Sequence, residues 1–81
     1  MLDFLKECNV SISIIENIKK ENSSANIYNL SCNQDETIKI INYLKELNIT
    51  CIDDLLVYRI DLFFHSLDDI KKFFSKYDKK I

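Results

Sequence analysis

Apolar residues recur at intervals of three and four along most of the chain, the spacing of one face of an α-helix. In the last quarter Leu67, Ile70, Phe73, Phe74 and Tyr77 form one such stripe. Ile38, Ile41, Leu44 and Leu47 form a second, widened by Ile40. Shorter runs hold Ile14, Ile15 and Ile18, and Ile52, Leu55 and Leu56. No window alternates apolar and polar residues for long enough to make a half-buried strand. The pattern predicts an all-α chain.

Helix starts can be read from capping chemistry, in which a Ser, Thr, Asp or Asn side chain takes up a free amide and an acid three residues on reaches back. Ser13 with Glu16, Asn33 with Glu36, Thr50 with Asp53 and Ser66 with Asp69 all have this spacing. Acids also precede lysines by four in Glu16/Lys20, Asp35/Lys39 and Asp68/Lys72, which suits both side-chain attraction and the helix dipole. The Asp53–Asp54 and Asp68–Asp69 doublets are explained by first-turn capping and need no cation.

The chain also resembles itself. Phe4-Leu5-Lys6-Glu7-Cys8-Asn9-Val10-Ser11 lies over Tyr43-Leu44-Lys45-Glu46-Leu47-Asn48-Ile49-Thr50 at an offset of 39. Each unit then reads as a short helix, a shorter one and a long one. The first unit is expected at 14–22, 25–30 and 34–47, and the second at 51–58, 60–64 and 67–77, after a half-helix at 2–8. The expected fold is therefore a small solenoid-like array of two three-helix units plus an N-terminal helix, in one domain spanning 1–81. Repeat 1 covers about 11–48 and repeat 2 about 49–78. Such units bury their faces only by stacking.

The stretch Asn42 to Tyr77 resembles the mitochondrial transcription-termination-factor repeat. Leu44, Leu47 and Ile49 match the start of its pattern, Leu55, Leu56, Leu62 and Phe63 the middle, and Ser66 with the last stripe the end. Residues 4–41 match more loosely. Asn48 stands where that family has Gly, and Asn tolerates the left-handed conformation. Ile60 stands where it has Pro. The resemblance implies a helical solenoid that binds nucleic acid along a basic concave face. The segment LKELNITCIDDLL also resembles a helix-hairpin-helix phrase, but that module needs Gly in its hairpin.

Composition narrows the function. The 81 residues include no Gly and no Pro, so phosphate loops and nucleophile elbows built on Gly are excluded. The net charge is −2, unlike a strong nucleic-acid binder. Residues 66–81, however, hold five Lys and three Asp, a net of +2. MLDFLKECNV lacks a basic n-region and an apolar h-region, so no signal peptide is expected. No apolar run reaches a membrane span. Three cysteines without a C-x-x-C spacing fit reduced thiols in a cytoplasmic protein better than a disulfide framework.

Little in the chain suggests catalysis. His65 is the only histidine and precedes the Ser66 cap, a turn position. No cysteine spacing fits zinc. Cys8 and Cys51 are expected as small buried hydrophobes, and Cys32 as the one thiol near the surface. No cofactor, metal or small-molecule substrate is expected. The candidate site residues are of two kinds. Lys6 and Lys45 are repeat equivalents, and Lys76 with Lys72 extends their column on the last helix, giving a basic stripe for phosphate. Phe63 and Phe64 are adjacent, so a short helix cannot bury both equally, and one is expected to serve a protein partner or self-association. The expected function is a non-enzymatic helical module binding a macromolecular partner. The alternative is weak nucleic-acid binding of the termination-factor type.

Overall fold

The computed structural model describes residues 2–78, and side chains only as far as Ser75. The described chain is all-helical. Its elements are α1 (Phe4–Glu7), α2 (Ile12–Glu21), α3 (Ser24–Cys32), α4 (Gln34–Glu46), α5 (Ile52–Tyr58), a 3₁₀ helix (Ile60–Phe64) and α6 (Leu67–Asp78). Every expected element is present, with boundaries within two residues of the pattern. The segment 60–64 takes the tighter 3₁₀ form.

The caps differ more than the boundaries. Ser66 takes up the Asp69 amide at 3.2 Å, as expected. α2 is capped by Ser11 rather than Ser13: the Ser11 hydroxyl accepts from the Ile14 amide at 3.4 Å. Ser23, which has no acid three residues on, caps α3 through the Asn26 amide at 3.2 Å. α5 starts after Cys51 with no side-chain cap, so Thr50 plays no such part. Asn33 stands at the start of α4, but its side chain is used elsewhere.

With neither Gly nor Pro, this chain ends four of its helices, α1 to α4, at or just before an Asn. Asn9 and Asn48 are the two residues with positive φ among those described, at 65° and 60°. After each, a backbone amide reaches back five residues: Val10 N–H to the Leu5 carbonyl and Ile49 N–H to the Leu44 carbonyl, both at 3.1 Å. Asn9 N–H also bonds the Lys6 carbonyl, and Asn48 N–H the Lys45 carbonyl. This is the Schellman closure, with Asn in the place usually given to Gly. α2 and α3 end at Asn22 and Asn33, whose side-chain amides also bond carbonyls.

α2, α3 and α4 each pack on the element three places later. α2 lies against α5, α3 against the 3₁₀ helix and α4 against α6. α4 also touches α3 and the 3₁₀ helix, so it is an inner layer, whereas α6 is an outer one. The core is one continuous cluster, from Leu2, Phe4 and Leu5 through Ile18, Leu30, Ile41 and Leu44 to Leu56, Phe63 and Ile70. On α4 the inward stripe Thr37, Ile40, Ile41 and Leu44 is wholly buried. Polar side chains stitch the halves together. Asn22 Nδ2 donates to the Val57 carbonyl at 2.9 Å, and Asn33 Nδ2 to the Phe63 carbonyl at 2.7 Å and the His65 carbonyl at 3.2 Å.

The left-handed turns give a direct test. Asn48→Gly and Asn9→Gly should each leave stability unchanged within about 0.5 kcal/mol or raise it slightly, because Gly carries no Cβ into that conformation. Asn48→Ala should lower stability by about 1 kcal/mol. Urea melts of the three variants check the order Gly ≥ Asn > Ala.

Candidate functional site

The candidate lysines have different local surroundings. Lys45 Nζ donates to the Cys8 carbonyl at 2.7 Å, at the exposed C-terminal end of α1, where a cation also suits the helix dipole. It thereby joins the two Asn-closed turns across a small groove of about 260 Å³ that includes Asn9, Ile49 and Asp53. Lys6 lies 3.9 Å from Asp3, both exposed. Lys72 is exposed on α6. Lys76 belongs to α6, but its side chain lies outside the described residues. Lysines that were not candidates are also engaged: Lys39 Nζ meets Glu36 at 3.1 Å, and Lys71 Nζ stands 5.7 Å over the Tyr43 ring.

The two phenylalanines separate. Phe63 is at 0% exposure in the middle of the core and offers no side-chain surface to a partner, contrary to its candidacy. Phe64 is half-buried against the same core. The exposed aromatic of this region is Phe73 on α6, at 45%. It packs edge-on against Phe74 with ring centroids 5.5 Å apart, and Phe74 in turn meets Tyr43 of α4 at 6.4 Å. The sequence does not single out Phe73, because its place in the stripe reads as core.

Phe73 lines a groove of about 490 Å³ between the 3₁₀ helix and α6. Leu62 and Ile70 supply the rest of its apolar lining. Two charged pairs flank it. Arg59 grips Asp61 through Nε at 3.3 Å and Nη2 at 3.4 Å. That contact holds the Asp61 carboxyl below its usual value and raises the Arg59 guanidinium. His65 Nδ1 is 4.0 Å from Asp69.

Glu36 sets the position of α6. Its Oε1 accepts from the Leu67 amide at 3.0 Å, the first amide of α6, and Oε2 meets Lys39. Thus Glu36 caps a neighbouring helix instead of boxing with Asn33. The backbone hydrogen bond, then Lys39, hold this carboxyl below its ordinary value. A carboxylate lowered on folding stabilises above its ordinary value, and that contribution is lost as pH falls through the lowered one. Wild type should therefore lose stability in acid faster than Glu36→Gln, the two converging toward about pH 2. Thermal melts across pH check this.

The cysteines are all free. Cys8 is buried, and desolvation raises its thiol despite Lys45 nearby. Cys32 is exposed, as expected, and the hydroxyl of Tyr28 is raised by a hydrogen bond with it. Cys51 is also exposed, which corrects the expectation of burial. Its repeat equivalent Ile12 is likewise 61% exposed, so this position faces water in both halves. Native protein should therefore show two fast thiols in a thiol-reagent titration and a third only on unfolding. Among the described residues, no group of three or more His, Cys, Asp or Glu side chains could hold a metal ion. None of the described helices is long and apolar enough to cross a membrane.

No family model, curated protein or solved structure matches the chain. The likeness to the termination-factor repeat therefore rests on its own residues.

Proposed function

We propose that the chain is a two-unit helical array that works without catalysis, by binding another protein through its outer layer. The reading of two units, about 11–48 and 49–78, is supported by the pairing of α2 with α5, α3 with the 3₁₀ helix and α4 with α6. It is supported again by the shared closure at Asn9 and Asn48. The observation that carries the functional reading is the contrast between two equivalent positions. Counted from the starts at Asn33 and Ser66, Ile40 of α4 corresponds to Phe73 of α6. Ile40 is 1% exposed and Phe73 is 45% exposed. An apolar position that is core in the inner layer is surface in the outer one. Such a face with charged residues around it fits protein contact better than phosphate contact.

Nucleic-acid binding, implied by the termination-factor likeness, has weaker support. Of its four candidate lysines, Lys45 is committed to the Cys8 carbonyl and Lys6 neighbours Asp3. Fluorescence anisotropy with labelled duplex and single-stranded oligonucleotides at about 20 mM salt should show no binding. Binding that falls steeply with salt and is lost in Lys6→Glu/Lys72→Glu would overturn the protein-binding reading and restore the alternative.

A further inference from the structure

We infer that α6 is a strap over α4 that opens as a unit while the rest of the chain stays folded, uncovering Ile40 and Tyr43. The inference concerns how the outer layer moves and is independent of what that layer binds.

Hydrogen bonds mark where the strap begins. The carbonyls of Val57 and Phe63 tie α5 and the 3₁₀ helix to the first half through Asn22, Asn33 and Thr37. Asn33 Nδ2 extends this tie to the His65 carbonyl at 3.2 Å. α6 starts just beyond, at Leu67, and there the bond across to the first half runs to the side chain of Glu36, whose Oε1 accepts from the Leu67 amide at 3.0 Å. The apolar hold on α6 is slight. Of its described side chains, Leu67 to Ser75, only Ile70 is buried, with Leu67 and Phe74 half-buried. α4, by contrast, buries Thr37, Ile40, Ile41 and Leu44. Fewer buried apolar contacts mean a lower free energy of local opening. α6 has 12 residues, a length at which a helix alone in water is marginal. Once released from α4 it therefore melts, and its internal bonds are lost together with the bond to Glu36.

What the strap covers follows from the two ends of its contact with α4. Leu67 meets Glu36 at one end. Phe74 meets Tyr43 at the other, with ring centroids 6.4 Å apart and Lys71 over the same ring. Ile40 stands four places after Glu36 and three before Tyr43, on the same face of α4. It is 1% exposed, and opening of α6 turns it to solvent.

Native-state hydrogen exchange of the whole chain, followed by NMR at several urea concentrations below the unfolding transition, is the test. The Leu67 amide, bonded across to α4, and the Ile70 amide, bonded within α6 to the Ser66 carbonyl, should share one opening. Both should exchange at least about tenfold faster than the slowest amides of α4 and α5, with a smaller dependence on urea. Ile70→Asp should hold the strap open: α6 amides unprotected, α2 to α5 still protected, and the Ile40 methyl and Tyr43 ring signals moved to solvent-exposed positions. Equal protection and urea dependence in α4, α5 and α6 overturn the inference. Protection that falls gradually toward the end of α6 is fraying and overturns it too. So does an Ile70→Asp chain that unfolds as a whole, or one in which the Ile40 and Tyr43 signals stay native.

Discussion

The carbonyl of Phe63 is the point on which both halves of the fold close. It lies in the last turn of the 3₁₀ helix, where carbonyls lose their helical partners, on a residue that is fully buried. Two side chains from the start of α4 satisfy it: Asn33 Nδ2 at 2.7 Å and Thr37 Oγ1 at 3.2 Å. The Thr37 hydroxyl also lies 2.8 Å from the Asn33 carbonyl, so its single proton is shared between two acceptors within reach. Thr37 is the only wholly buried polar residue among those described. Each such bond contributes about 0.5–1.5 kcal/mol net, but a stranded buried carbonyl costs about 1–3 kcal/mol. The second figure explains why the junction is specified: any register of α4 against the 3₁₀ helix that misses this carbonyl is penalised more than a good one is rewarded. Phe63 itself, at 0% exposure, is then fixed in the core by its own backbone.

The same economy runs through the other junctions. A chain with no Gly and no Pro lacks the two usual means of ending a helix. Asn replaces them in two ways. At 9 and 48 its backbone enters the left-handed region. At 22 and 33 its amide group donates twice, to carbonyls that helix ends leave open. Asn22 bonds Ile18 of its own helix and Val57 of α5, and Asn33 bonds Phe63 and His65. The second use does more than end a helix, since it binds that end to an element of the other half. Helix termination and assembly of the two halves are therefore one event at these positions.

This accounts for what the sequence disclosed and what it did not. Element boundaries were legible because apolar spacing and polar breaks are local. The left-handed turn at Asn48 was legible from its place after a helix. The cap at Ser66 was legible because its amide partner lies three residues on. The apparent box of Asn33 with Glu36 was misleading for one reason: both side chains have the right spacing for a local bond, and both are taken by distant partners, Phe63 and Leu67. Ser11 and Ser23 cap without an acid at the third position, so the box pattern passes over them. Cys51 was misjudged because a lone small residue between Thr50 and Ile52 carries no periodic signal of its own.

The candidate site was less legible, and the reason is a symmetry of the pattern. α4 and α6 begin alike and carry the same apolar spacing, so a one-dimensional reading assigns both stripes to the core. What separates them is the layer each occupies. α4 is enclosed by α3, the 3₁₀ helix and α6, whereas α6 has α4 on one side. Burial is a property of neighbours, and among the described elements α4 has more of them than α6. Phe63 and Phe64 drew attention as an adjacent pair that one short helix could not bury, yet α4 receives Phe63 completely. The surface aromatic is Phe73, in a stripe that raised no question. Comparing positions at equal distances from the starts of α4 and α6 picks out Phe73, exposed where Ile40 is buried, where composition and motifs do not.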